Sequence, residues 1–138
     1  MKEATMGLFG GGKKDTRPVD QGLAALSGKS EGELIEWWKQ RFMLIASVPS
    51  DKARVGALTP QLRELSRIES EDERRKLIRA RIIAFSQLPP DKQSVIRDAR
   101  QKAWEVDRGV LESDQKIVDE LMPAMDASVK SAYPQKTA

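Results

Sequence analysis

Residues 30–33 of the chain read Ser-Glu-Gly-Glu, and residues 70–73, forty positions later, read Ser-Glu-Asp-Glu. The same offset relates residues 49–52, which read Pro-Ser-Asp-Lys, to residues 89–92, which read Pro-Pro-Asp-Lys. The alignment needs no gap, and nine of its 40 residue pairs are identical. We therefore predict that the chain contains an internal repeat of two 40-residue units.

Both units, residues 30–69 and residues 70–109, begin with a helix-capping signal. In a Ser-x-x-Glu capping box, the serine hydroxyl accepts a hydrogen bond from the backbone N–H three residues later, and the glutamate binds back to the serine N–H. Helices are therefore predicted to start at Ser30 and Ser70. The apolar residues that follow recur at helical spacing. In the first unit they are Leu34, Trp38, Phe42 and Ile45.

Prolines divide each unit into two helices. Proline disfavours helix at the residue before it and fits the first turn of the next helix, so Pro49 and Pro89 predict a tight turn in each unit. In the second helix Gly56 and Pro60 interrupt the apolar pattern. We therefore expect a kink or break near Thr59, with Thr59 capping the second half.

The C-terminal part adds a further helix, predicted over residues 113–132, which kinks or ends at Pro123 and is followed by a frayed end at 133–138. The pattern as a whole predicts an all-α fold, a small helical domain of five to six helices over residues 30–132. Helix-pair repeats of roughly 33 to 47 residues are typical of α-solenoids, and this layout is similar to HEAT-type units. Little more than two units is close to the minimum for a stable stack, so a HEAT-like stack and a compact bundle both fit the pattern.

The amino-acid composition limits the catalytic and metal-binding sites that the chain can form. The chain has no cysteine and no histidine, which excludes disulfides, thiolate nucleophiles, imidazole bases and zinc sites built from these ligands. The carboxylates show no calcium-loop spacing. The longest purely apolar run, residues 42–46, is far shorter than the roughly 20 residues that cross a bilayer. We expect no catalytic residues, no metal, no cofactor and no transmembrane segment, and we expect a cytoplasmic location.

Residues 1–29 hold six of the nine glycines and show no sustained periodicity, which predicts a flexible tail. The exception is a short stretch in which Leu23 and Leu26 can form an amphipathic turn closed by Gly28.

A second feature of this tail is a phosphate-loop spacing, G-x-x-x-x-G-K, at residues 7–13. Lys14 stands where the motif requires Ser or Thr, and no strand precedes it, so nucleotide binding is not expected. Leu8 and Phe9 are too few for stable contact of the tail with a membrane surface.

The chain carries a formal net charge of +3, and the second unit holds ten basic and seven acidic residues. If its two helices present their basic residues on one face, they form a surface for phosphate groups or acidic partners. Interleaved acids can form i,i+4 ion pairs, so a solvated helix face is the alternative interpretation. The candidate basic patch consists of Arg74, Arg75, Arg79, Arg97 and Arg100.

Trp37 and Trp38 are adjacent in a chain that has only three tryptophans. Neighbouring helical residues point about 100° apart, so the two rings cannot share one narrow stripe. Either both pack in the core, or one fills the core while the other serves an interface, where Trp is enriched. The candidate protein interface comprises Trp37, Trp38 and Met43.

Together these features predict a non-enzymatic protein–protein interaction module, such as an adaptor, an accessory subunit or an assembly factor. It would present an apolar stripe and a basic patch to a protein partner. The alternative is a nucleic-acid-associated helical protein that binds phosphates through the basic face of the second unit. Salt separates the two, because affinity for nucleic acid falls steeply with ionic strength.

Overall fold

The computed structural model describes Leu23, Leu26 and residues 28–133. Within this part the structure is all-helical and closely packed, which confirms the predicted fold class. The helices are α1 (Glu31–Ser47), α2 (Asp51–Ser66), α3 (Glu71–Ser86), α4 (Pro90–Val106), α5 (Arg108–Leu121) and α6 (Ala127–Ala132), with a 3-10 turn at Met122–Ala124 between the last two.

The predicted helix starts are confirmed. Ser30 caps α1 with a complete capping box: its Oγ accepts from the Glu33 backbone N–H at 3.2 Å, and its own N–H donates to Glu33 Oε1 at 2.9 Å. Ser70 caps α3 through one bond, from the Glu73 N–H at 3.1 Å. Side-chain caps of this kind satisfy backbone donors that no helical carbonyl can reach.

The two proline turns also lie where the sequence predicts them. After Pro49, the hydroxyl of Ser50 caps α2 by accepting from the Ala53 N–H at 3.1 Å. The matching position in the second unit is Pro90, which occupies the first position of α4 without a side-chain cap. Proline is suited to this position because the N–H it lacks would have no helical partner there.

The predicted break near Thr59 is wrong, because α2 is continuous from Asp51 to Ser66. Thr59 is buried inside the helix, and its hydroxyl donates to the Val55 carbonyl at 2.7 Å instead of capping a new helix. Pro60 removes one helical hydrogen bond, a loss that the packing of the buried apolar side chains of α2 outweighs.

The fifth helix begins at Arg108 rather than near Ser113. Its N-cap is Asp107, whose carboxylate accepts from the Val110 N–H at 3.3 Å and from Arg63 Nε of α2 at 2.7 Å. The Arg63 hydrogen bond lowers the pKa of Asp107 most, followed by the Val110 bond. The helix ends before Pro123, one of the two outcomes predicted for this proline, and α6 follows the 3-10 turn.

Corresponding helices of the two units pack on each other, α1 on α3 and α2 on α4. The fifth helix packs against α2, α3 and α4, and α6 packs against α3. This arrangement fits both a short stack and a compact bundle, so the repeat itself and its HEAT-like character stay predictions. The core includes Leu34, Trp38 and Phe42 of α1, Leu62 and Leu65 of α2, Ile78 and Ile82 of α3, Ala103 of α4 and Leu111 of α5.

Leu23 and Leu26 are buried in this same core, so part of the predicted tail packs against the helices. The turn is closed by Gly28, whose φ of 83° lies in the left-handed region that glycine adopts without strain. The predictions for residues 1–22 and 134–138, including the phosphate-loop spacing, lie outside the described residues. None of the helices in the described part has the length and apolar composition that crossing a bilayer requires.

Candidate functional site

An apolar groove lies between the C-terminal half of α1 and the turn that joins α3 to α4. Met43 and Leu44 form one side, with 40% and 57% of their side chains exposed, and Leu88 and Pro89 form the other. The groove has a volume of about 620 Å³. We call these four residues and the space between them the α1 groove.

The local sequence explains why this apolar surface faces outward. The core-facing stripe of α1 consists of Leu34, Trp38 and Ile45, together with Phe42. Met43 and Leu44 follow Phe42 directly, and adjacent helical residues point about 100° apart. Both side chains therefore lie off the buried stripe. The polar rim is formed by Glu36, Lys39, Gln40, Ser47 and Gln87.

The three predicted interface residues lie in different environments. Trp38 is fully buried and packs against Phe42, so it belongs to the core and offers no surface to a partner. Trp37 is partly buried and meets Trp38 edge-on, with ring centroids 5.1 Å apart. Met43 is exposed and lines the α1 groove. The structure thus corrects the predicted stripe by removing Trp38 from it.

Trp37 also covers a buried cation. The guanidinium carbon of Arg41 lies 4.9 Å from the centre of the Trp37 ring, within cation–π distance. Arg41 is 9% exposed, and its Nε has no hydrogen-bond partner among the described residues. Burial lowers the pKa of Arg41.

Three arginines of the predicted basic patch lie on α3, and each contacts an internal acceptor. Arg74 donates to the Ile68 carbonyl at 2.6 Å, beyond the end of α2. Arg75 pairs with Glu120 of α5 at 2.6 Å and with Glu71 at 3.5 Å. Arg79 pairs with Glu31 of α1 at 2.7 Å. The Glu120 hydrogen bond is the main cause that raises the pKa of Arg75.

The other two arginines of the patch, Arg97 and Arg100, lie on α4 and line a central cleft. Arg97 donates to the Ala132 carbonyl of α6 at 3.2 Å. Arg100 pairs with Asp114 of α5 at 2.8 Å and donates to Gln115 at 2.8 Å. Each of the five arginines thus contacts an acceptor within the protein.

The strongest electrostatic feature is a buried ion-pair cluster that the sequence did not indicate. Arg81 of α3 binds Asp114 through two parallel bonds of 2.9 and 2.7 Å, and Arg100 binds the same carboxylate. Burial acts to raise the pKa of Asp114, but the charges of Arg81 and Arg100 outweigh it and lower that pKa to about 2. Burial also acts to lower the pKa of Arg81, and Asp114 reverses this into a net rise.

One signal could have located Asp114. It lies on the apolar side of α5 with Leu111 and Val118, at spacings of three and four residues, and a carboxylate on such a face requires a buried partner. A helix that starts near Ser113 leaves Leu111 outside it, so the sequence prediction lacks this face. No group of three or more His, Cys, Asp or Glu side chains in the described ranges is arranged to hold a metal ion.

Comparison of the chain with protein-family models, with curated proteins and with solved structures gave no match.

Proposed function

We propose that this chain is a non-enzymatic, cytoplasmic interaction module that binds a protein partner through the α1 groove. One observation carries the proposal: Met43 and Leu44 are adjacent, exposed and line the same groove. The only other large apolar residue exposed to this extent within the described part is Val106, at the C-terminal end of α4. Apolar side chains grouped at a concave surface favour association because burial removes them from water.

The groove has the composition of a small protein interface. Its centre is apolar, and its rim carries an ion pair between Lys39 and Glu36 at 3.4 Å together with the amides of Gln40 and Gln87. Interfaces combine an apolar centre that supplies most of the affinity with a polar rim that directs orientation. An amphipathic partner helix that inserts one or two apolar side chains fits this arrangement.

The proposed binding surface does not include the five arginines of the basic patch. Arg74, Arg75 and Arg79 contact acceptors within the protein, so the phosphates of a nucleic acid would have to compete with these contacts. Arg97 and Arg100 line the cleft between the helices instead. No observation favours the nucleic-acid alternative over the protein partner.

The test compares Leu44→Glu with Val106→Glu, because these two side chains are 57% and 55% exposed and only the first lines the groove. Immobilised full chain is incubated with nuclease-treated native extract and washed at low and at high salt. We expect wild type and Val106→Glu to retain a stoichiometric protein in both washes. Leu44→Glu should retain at least about tenfold less, because burying a leucine contributes about 1.5–3 kcal/mol.

Circular dichroism must show the same helix content and melting temperature for both variants. Equal retention by Leu44→Glu and wild type would refute the groove as the binding surface. Retention of nucleic acid alone in extract not treated with nuclease, with its loss at high salt, would support the alternative function instead.

A further inference from the structure

A second cavity, separate from the α1 groove, is lined by residues of all six helices. Its volume is about 810 Å³, within the 300–1,000 Å³ of typical small-molecule sites. Its floor is apolar and includes Leu58, Leu62 and Ile96, and Trp104 contributes an aromatic wall. We call this space the central cleft.

Four cationic side chains line the central cleft. Arg81, Arg97, Arg100 and Lys130 all contribute to its lining. Two carboxylates oppose these four cations: Asp114, which binds Arg81 and Arg100, and Asp119, which also lines the cleft and accepts from Gln115 at 2.9 Å. The side chains around the cleft therefore carry an excess of positive charge.

The Arg97 guanidinium is partly satisfied, because its Nη2 donates to the Ala132 carbonyl at 3.2 Å. Asp114 is shared by two guanidinium groups, and it lies on Arg81 and Arg100 rather than on Arg97. The Nε of Arg97 is buried without a hydrogen-bond partner in the described part of the chain. Its guanidinium carbon lies 5.7 Å from the centre of the Phe85 ring. A buried donor without an acceptor is costly, so an added anion would be stabilised here.

Tyr133 completes the polar side of the cleft. Burial is the main cause that raises its pKa to about 12, although the charges of Arg81, Arg100 and Arg97 act to lower it. Those three guanidinium groups therefore act on this phenol through their charge. The hydroxyl remains protonated at neutral pH and can donate a hydrogen bond.

We propose that the central cleft binds a small organic anion, whose carboxylate or phosphate group contacts Arg97 and whose apolar body lies on Leu58, Leu62 and Trp104. Arg100 and Lys130 add to the attraction. Guanidinium groups suit such head groups because their planar donors match carboxylate and phosphate oxygens. The apolar floor favours an anion with a hydrocarbon part over inorganic phosphate.

The probes are octyl phosphate, octanoate and neutral 1-octanol, titrated into the full chain and followed by calorimetry and amide NMR shifts. We expect saturable binding of at least one anion with a Kd below about 1 mM, at least about tenfold tighter than that of 1-octanol. The two anions show which head group is preferred. Equal affinity for 1-octanol, or no saturable binding of either anion, would overturn the proposal.

Arg108 provides the matched control for Arg97. Each guanidinium carbon lies 5.7 Å from an aromatic ring centre, Arg97 over Phe85 and Arg108 over Trp104, but Arg108 does not line the cleft. We expect Arg97→Gln to weaken anion binding at least about tenfold and Arg97→Lys to weaken it less, whereas Arg108→Gln leaves it unchanged.

Equal loss in Arg97→Gln and Arg108→Gln would also overturn the assignment. Thermal melts confirm that each variant is folded, and the anion should raise the melting temperature of wild type more than that of Arg97→Gln. This test is independent of the α1 groove. Leu44→Glu should bind the anion as wild type does, so failure of either proposal leaves the other intact.

Discussion

Arg41 and Arg81 occupy the same position in the two 40-residue units, yet the fold treats them differently. Arg81 is 4% exposed and bound bidentately by Asp114. Arg41 is 9% exposed, faces the Trp37 ring and has an Nε without a hydrogen-bond partner among the described residues. The pKa of Arg81 is raised by Asp114 against the effect of burial, whereas the pKa of Arg41 is lowered by burial.

The environments of Arg41 and Arg81 differ because the fifth helix, nearly all of which lies outside both units, packs mainly against one of the two helices that carry them. The fifth helix packs against α3, and α1 is not among its main packing partners. Asp114 of α5 therefore binds Arg81 of α3 and not Arg41 of α1. In the first unit the position of Leu77 is taken by Trp37, whose ring covers Arg41. Two arginines that align at an offset of 40 residues therefore lie in different environments. The charge on a helix is compensated by whichever neighbour the tertiary fold supplies.

The largest expected effect comes from removing the shared carboxylate. Asp114→Asn leaves Arg81 buried with no anionic partner, so we expect unfolding free energy to fall by about 3–5 kcal/mol. Asp98→Asn is the control, since Asp98 pairs with Lys102 at 3.0 Å on the surface and should cost no more than about 1 kcal/mol. Urea unfolding measures both. A similar small cost for both variants would show that the buried cluster does not stabilise the fold.

The next change tests the comparison directly by replacing each arginine with methionine. Arg81→Met leaves the Asp114 carboxylate paired with Arg100 alone, and it should lower the free energy of unfolding by about 3 kcal/mol. Arg41→Met removes a poorly satisfied cation, and it should leave stability within about 1 kcal/mol of wild type. Chemical denaturation of both proteins gives the two values. Equal destabilisation would mean that Arg41 is satisfied by a partner outside the described residues.

The stabilising effect of Asp114 should also depend on pH. The pKa of Asp114 is about 2 in the folded state and about 3.9 when unfolded, so its ionised form stabilises the fold above pH 4. This contribution, about 2 kcal/mol, is lost as the pH falls from about 4 to 2. Unfolding of wild type and Asp114→Asn is measured at both pH values. The stability difference between them should shrink by this amount, and a constant difference would contradict the assigned pKa.

The smallest effect concerns a second matched pair, Gln61 and Gln101. Gln61 is 1% exposed, and neither its amide nitrogen nor its oxygen has a hydrogen-bond partner in the described residues. Gln101, forty residues later, is exposed at the central cleft. Gln61→Leu should stabilise the fold by about 1 kcal/mol, and Gln101→Leu should change it by less than about 0.5 kcal/mol. Thermal melts of both variants measure these changes in stability. A destabilised Gln61→Leu would mean that the Gln61 amide has a hydrogen-bond partner outside the described residues.

Local signals predicted most of the helical framework. Ser30 and Ser70 each act through a hydrogen bond three residues away, so their sequence context suffices. The proline turns are equally local. The two errors have different causes. Core packing of α2 overrides the break at Thr59. The start of α5 has a local cap, because Asp107 accepts from the Val110 N–H three residues later, and Arg63 adds a contact from 44 residues away.

The candidate site was predicted less well, for the same reason. Met43 was identified, but its partner in the α1 groove, Leu44, was not, because only the fold decides which apolar residues a helix leaves uncovered. The basic residues of the second unit were identified as a cluster. Their acceptors, Glu31, Glu120 and the carbonyl of Ala132, come from other helices.

By itself, the sequence determined that this protein is helical and where four of its helices begin, because caps, prolines and apolar periodicity act within a few residues. Only the tertiary structure decided how the charges are used. An arginine on a helix becomes part of a core, a surface or a ligand site according to which carboxylate lies against it. For Arg41 and Arg81 that difference is set by the packing of α5, which neither unit encodes in its own residues.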